Sequence, residues 1–236
     1  MTKPDDIRRL EYEYARRSKN ASISQKYAVT NRAYRFLLKR RISEISKFFN
    51  ENNLSRISGK RILEIGCGSG DAFNDLSQLG AEEVNYFGVD LLMDRLEDAK
   101  VLFPSANFIC CDARNLPFAN NQFEICCQFT AFSSILDSDI KNQMADEMLR
   151  LVKAEGFILW YDFIWNPFNK QTKGIRLREI CRLFSNCEIH HHRITLAPPL
   201  TKLFILLSQD LCEFLEKVRI LNSHILALIR VKKTAA

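Results

Sequence analysis

Long apolar runs are missing from this chain of 236 residues. The longest span about five residues, at Leu203–Leu207 and Ile225–Ile229, far short of the roughly 18 that a membrane-spanning helix requires. The stretch that follows Met1 has no apolar segment of the kind a secretory leader carries. Internal repeats and low-complexity tracts are absent too, which excludes a solenoid and a disordered tail. The eight cysteines contain no Cys-x2-Cys pair and no three-cysteine cluster. A zinc site, an iron–sulfur centre and the radical chemistry such a centre supports are therefore not expected, and no metal is expected. Two adjacent pairs, Cys110–Cys111 and Cys126–Cys127, lie inside apolar runs, as reduced, buried thiols would. The expected compartment is the cytoplasm.

What is present is ordinary globular material, 47% hydrophobic and 26% charged, in a length that suits one generous domain or one domain with additions. The charge is arranged in blocks. Residues 1–61 carry 16 Lys and Arg against 6 Asp and Glu, residues 62–150 carry 5 against 15, and residues 151–236 carry 13 against 7. An acidic centre thus lies between two basic ends, a pattern that suits an anionic partner and that a solvated helical face also produces.

Residues 1–29 read as a polar, basic arm that orders against the main body. Thr30 or Asn31 caps a helix running to about Asn50, with Leu38, Ile42, Ile45 and Phe49 on one face. From Arg61 the pattern changes to short apolar strands alternating with helices. Strands are expected at 61–65, 85–90, 107–112, 123–130, 156–163, 188–196 and 223–231. Helices are expected at 71–79, 92–102, 138–151, 176–184 and 200–218. Continuous apolar strands separated by helices imply a parallel sheet covered on both faces. The expected fold is α/β, a doubly wound, mostly parallel seven-stranded sheet with an N-terminal helical extension. Residues 1–59 form the basic arm and helix on the substrate side, and residues 60–236 form the core, with a helical insertion at about 199–218.

The first strand runs into Glu64-Ile65-Gly66-Cys67-Gly68-Ser69-Gly70-Asp71. Glycines between a strand and a helix let backbone approach a ligand, because no Cβ intervenes. In an open α/β sheet that ligand lies at the carboxyl ends of the strands. A dinucleotide-binding fingerprint would place a small residue at the third motif position, facing a pyrophosphate. Asp71 stands there instead, and its charge opposes one. No Gly-Lys-Ser/Thr follows, so this is not a Walker loop.

With Ile62–Gly70, then Gly88-Val89-Asp90, then Cys111–Phe118 followed by Asn121-Gln122-Phe123-Glu124, the chain resembles the class I S-adenosylmethionine-dependent methyltransferases. The third block is similar to the D-A-x-x-L-P-F-x-x-x-x-F-D pattern of the small-molecule and quinone-type members, with Glu124 where Asp is usual. The resemblance covers about Lys60 to Phe163. It implies S-adenosylmethionine as cofactor and S-adenosylhomocysteine as product. Gly66, Cys67, Gly68 and Gly70 would wrap the amino-acid portion, with Glu64 beside them. Asp90 would accept both ribose hydroxyls, and Leu91 or Leu92 would pack on one face of the adenine. Asp112 and the Ala113 backbone would meet the adenine edge. Gln128 and Phe129 would lie where methyl group and acceptor meet. Asp162 and Tyr161 at the end of the fifth strand, and His190, His191 or His192 on the sixth, are the candidate general bases, with Asp162 foremost by position, because hydroxyl acceptors benefit from proton removal. His190, His191 and His192 cannot converge on one metal, since neighbours on a strand point to opposite faces.

The position after the fourth strand lacks the N/D-P-P-Y/F sequence of amino-group methyltransferases. Tyr27–Leu38 is similar to the arm of bacterial methyltransferases associated with surface-glycan assembly, in which Tyr27 would close over the cofactor as a lid does. The leading expectation is methyl transfer to an oxygen of a small-molecule or glycan-type acceptor, anionic if the basic ends recognise it. An RNA methyltransferase tracking phosphates with residues 1–61 and a non-catalytic cofactor-binding partner subunit are the alternatives. The helix at 199–218 is expected to bury Leu200, Leu203, Phe204, Leu207 and Leu211 in the core; pairing with a second copy or touching anionic lipid are its other uses.

Overall fold

The first helix, α1 (Lys3–Ser18), lies across the carboxyl edge of a sheet to which its own sequence contributes no strand. This is a computed structural model, and it describes residues 3–18, 30–54, 56–166, 169 and 171–231. Helix α2 (Arg32–Glu51) starts where the Asn31 side chain accepts the N–H groups of Ala33 and Tyr34, at 3.0 and 3.2 Å. Those bonds satisfy two donors that the first turn leaves open. Ile45, Phe48 and Phe49 on its inner face are buried.

The rest of the chain alternates as its pattern requires: β1 (Ile62–Ile65), α3 (Asp71–Ser77), β2 (Tyr86–Asp90), α4 (Met93–Leu102), β3 (Asn107–Cys110) and β4 (Phe123–Phe129). There follow α5 (Ser138–Leu151), β5 (Val152–Phe163), α6 (Leu177–Leu183), β6 (Cys187–Leu196), α7 (Pro198–Phe204), α8 (Gln209–Lys217) and β7 (Asn222–Val231). The seven strands form one sheet in the order β3-β2-β1-β4-β5-β7-β6. All neighbours are parallel except β7, which runs antiparallel between β5 and β6. The strand order reverses at β1, and the resulting crevice at the ends of β1 and β4 is where open α/β sheets bind ligands.

Strand alternation sorts the core into two layers. Leu63, Ile65, Cys126, Ile158 and Trp160 pack beneath α5 and α6. Ile62, Ile125, Cys127, Phe129, Phe157, Leu159 and Tyr161 pack beneath α2 and α3. Helix α5 alone buries Ile140, Met144, Met148 and Leu151, each stabilising by roughly 1.5–3 kcal/mol relative to exposure.

The expected helix at 200–218 is two helices. The first ends at Phe204, and after a short turn Ser208 adopts an extended backbone and accepts the Leu211 N–H, so that it caps α8. The break also corrects the expectation of core burial. Ile205 and Cys212 face inward onto α2, whereas Leu203 and Leu207 are exposed, as are Leu206 and Phe214. Among the described residues no helix is long and apolar enough to cross a membrane.

Candidate functional site

The glycine loop leaves β1 and folds back on β2: the N–H groups of Gly66 and Cys67 both donate to the Val89 carbonyl, at 2.8 and 3.0 Å. Gly66, Gly68 and Gly70 all have positive φ. At Gly68 the requirement is doubled. Its φ is +53°, and a Cβ there would stand 2.0 Å from Nη2 of Arg95. A side chain there would displace that guanidinium as well as strain the backbone.

Asp90, at the end of β2, is buried and reaches across to this loop. Its Oδ2 accepts the Gly68 N–H at 2.8 Å, and its Oδ1 accepts the Leu92 N–H at 3.1 Å. Each oxygen retains a lone pair for a further donor. Arg95, in the first turn of α4, sets Nη1 3.9 Å from Asp90 Oδ2 and its Cζ 4.8 Å from the Tyr14 ring of α1. Sequence reading singled out neither Arg95 nor Tyr14, since no motif spacing links residues 14, 68, 90 and 95.

Asp112 stands beyond β3, with Ala113 half-buried beside it and Leu91 half-buried beyond β2. Partial burial of the Asp112 carboxyl raises its pKa, but the bidentate Arg114 guanidinium and the Arg114 N–H outweigh that and hold it below the ordinary range. Glu64 alternates with Leu63 and Ile65 along β1 and so takes the other face of that strand. It lies within the α2/α3 layer, where the Tyr86 hydroxyl donates to it, and burial pushes its pKa up to about 8. It therefore supports the loop from beneath. The Cys67 thiol is buried and its pKa is pushed far up by that burial, which leaves it protonated and unreactive.

At the ends of β4 and β5 the candidates separate by face. Gln128 and Asp162 lie on the α5/α6 side, and Phe129 and Tyr161 on the α2/α3 side. Tyr161 gives its hydroxyl to a 2.9 Å bond with Thr195 Oγ1 and stacks on His224, with Arg41 over its ring. Tyr161 and Asp162 thus face different layers and do not act on one acceptor atom together. Gln128 is fully buried. Its Oε1 accepts the Ala131 N–H at 3.0 Å, while Asp162 Oδ2 accepts the Ser133 N–H at 3.0 Å. Together they clamp the turn 130–134 that closes β4. In that turn Thr130 has φ +60°, a rare conformation for a β-branched residue. Burial raises the Asp162 pKa to about 6, against the opposing pull of Ser133, the Phe163 N–H and Lys141.

Helix α1 covers this edge. Asp6 Oδ2 accepts the N–H groups of Leu136 and Asp137, at 3.1 and 3.3 Å. Arg9 bridges the Ser134 carbonyl at 2.5 Å and the Gln171 carbonyl at 3.1 Å, and Tyr14 meets Ser134 Oγ at 3.3 Å. The expected covering arm is therefore a helix, and its contacts come from Asp6, Arg9 and Tyr14. Tyr27 lies outside the described residues. Among the described residues no group of three or more His, Cys, Asp or Glu is placed to hold a metal ion. His190 pairs with Glu188 and His192 with Glu51, away from the crevice.

Comparison with known proteins agrees with this geometry. Residues 62–156 match the methyltransferase domain family. A ubiquinone/menaquinone biosynthesis C-methyltransferase, UbiE, from Burkholderia vietnamiensis is 29% identical over 121 residues, covering 48% of this chain and 47% of its own length. The chain thus spans about half the length of the curated relatives it matches. An S-adenosylmethionine-dependent methyltransferase from Clostridium acetobutylicum superposes with a TM-score of 0.60 at 16% identity, over 83% of this chain and 92% of that one. The [4+2]-cyclase SpnF superposes with a TM-score of 0.57 at 14% identity, over 80% and 82%. A cyclase on the same scaffold means that the fold alone does not specify the reaction.

Proposed function

We propose that this chain, whose residues 62–156 match the methyltransferase domain family, is a class I S-adenosylmethionine-dependent enzyme that transfers a methyl group from that cofactor to an oxygen of a small-molecule or glycan-type acceptor. The observation that carries the reading is the junction of β1 and β2. There a loop whose three glycines, Gly66, Gly68 and Gly70, have positive φ is held by Asp90, which still has acceptor capacity toward the crevice. A diol between those elements would meet a carboxylate, and a main-chain group would meet bare backbone.

The cofactor, when bound, supplies an electrophilic methyl group on a cationic sulfur. This chain's residues do the positioning. The 66–70 loop holds the amino-acid end, and Arg95 offers its carboxylate a guanidinium partner of matching planar geometry. Asp90 takes the ribose hydroxyls, Leu91 flanks the adenine, and Asp112 with the Ala113 backbone meets the adenine edge. Asp162, held near a pKa of about 6, accepts the proton of an acceptor hydroxyl at neutral pH. Helix α1 excludes water from the crevice. A carbon acceptor is the second reading, favoured because the curated relatives are named C-methyltransferases; it needs the same base.

A thermal-shift titration with S-adenosylhomocysteine, with NADH as the comparison ligand, tests the proposal. Ligand at about 100 times its dissociation constant adds roughly 2.7 kcal/mol, and a domain of this size gains about 2–4 °C per kcal/mol. A saturable rise with S-adenosylhomocysteine alone is expected. A rise with NADH alone, or with neither, overturns the reading.

A further inference from the structure

Beside the crevice, between the first turn of α5 and the length of α6, lies an open cleft of about 880 Å³. One wall is made by Ile164–Asn166, which leave β5, and by Thr172–Gly174, which return to it. The Ile175 N–H donates to the Phe163 carbonyl at 2.7 Å, and the neck is so tight that a Cβ on Gly174 would stand 2.3 Å from the Ile164 carbonyl oxygen. Arg9 of α1 pins the same loop at Gln171. This wall is thus held at both its neck and its crest.

The cleft is lopsided in charge. Lys173, Arg176, Arg178 and Arg182 line it, and among the described residues none of the four has a carboxylate within ion-pair distance. Glu179 is the one acidic residue in the lining, and it is paired with the buried Lys141 at 2.9 Å. Arg178 and Arg182 are four apart on α6 and so share a face. Four unpaired cations facing one space repel each other, and an anion placed among them removes that repulsion. Trp165, 50% exposed, stands in the same lining and offers a flat apolar face beside the cations.

The cleft adjoins the reacting end of the crevice through one residue. The Lys173 N–H donates to the Ser133 carbonyl at 2.8 Å, and the Ser133 N–H donates to Asp162 at 3.0 Å. We propose that this cleft binds a phosphate ester or diphosphate group of the methyl acceptor, with the arginines holding the phosphate and Trp165 flanking an apolar or ring-bearing body. The proposal rests on the methyltransferase reading for the word acceptor; the anion site itself does not.

Fluorescence titration of the full chain with phenyl phosphate tests it. The protein has two tryptophans, and only Trp165 is exposed, since Trp160 is fully buried. A saturable change is expected with phenyl phosphate and not with phenol. The double variant Arg178→Glu/Arg182→Glu changes two exposed residues and should weaken binding about ten-fold or more. Trp165→Phe should abolish the optical signal while calorimetry still detects the ligand. Equal binding of phenol, or unchanged affinity in the charge-reversed variant, overturns the proposal. Binding only of an oligonucleotide, strengthening with its length and falling steeply with salt, overturns it in favour of a nucleic-acid surface. The S-adenosylhomocysteine shift, read on the same samples, separates the two readings. Its absence with phenyl phosphate binding intact overturns the acceptor assignment alone, and its presence without phosphate binding overturns the cleft alone.

Discussion

Arg95 lies directly over Gly68: a Cβ on that glycine would stand 2.0 Å from the arginine's Nη2. The same guanidinium is 3.9 Å from Asp90 and packs on the Tyr14 ring. A cation brought to a bare stretch of backbone by α4, and covered by α1, is poised for a carboxylate. Arg95→Ala is expected to weaken S-adenosylhomocysteine binding about ten-fold, as loss of a charge-assisted pair does. Calorimetric titration checks this; unchanged or tighter binding would show that the guanidinium only blocks the loop.

Asp162 sets a pH dependence for the reaction. Its folded pKa of about 6 lies above the ordinary carboxylate value, so the protonated form dominates below about pH 6 and the base becomes available above it. kcat/KM should rise with pH up to about 6 and then level off. Asp162→Asn should lose most activity and the inflection with it. An unchanged inflection in that variant would assign the base elsewhere.

Glu64 sets a pH dependence of stability. Its pKa is raised to about 8 by burial, so the folded state holds its proton more tightly than the unfolded chain does. That contribution is fully present below the unfolded value of about 4.3 and is lost as pH rises toward 8. Glu64→Gln keeps the shape without the charge. Its stability relative to wild type should improve between pH 5 and 8, measured by denaturant melts across that range. A constant difference would mean that Glu64 is ionised in the folded protein.

Arg41 and Asp75 join α2 to α3 as a pair in which Asp75 is buried and Arg41 is 16% exposed, and Arg41 also covers the Phe129 and Tyr161 rings. Asp75→Ala should destabilise the protein by about 3–5 kcal/mol, because it leaves a largely buried cation without a partner. The double change Arg41→Met/Asp75→Ala should cost less than Asp75→Ala alone. Urea melts of the three proteins decide this, and a double variant no better than the single one would show that Arg41 acts mainly by covering the rings.

The sheet, its seven strands and the glycine loop were legible in the sequence, because strand and helix periods, the strand-ending acids and the left-handed glycines are local properties. The helix capped by Asn31 and helix α5 (Ser138–Leu151) were legible for the same reason. The break at Ser208 was not, since an apolar run spanning two short helices has the same composition as one long helix. Which face a residue serves was also hidden where strands end. Alternation puts Tyr161 and Asp162 on opposite faces, and only the packing of the helices decided that Asp162 meets the α5/α6 layer and Tyr161 the α2/α3 layer.

What the sequence determined by itself was therefore the scaffold and the loop at its carboxyl edge. Tertiary structure alone decided that Arg95 meets Gly68 and that Arg9 reaches both Ser134 and Gln171. It also decided that Lys173, Arg176, Arg178 and Arg182 share one cleft with Trp165. These contacts join residues distant along the chain. Charge and shape between such residues act through space, and no spacing along the sequence encodes them.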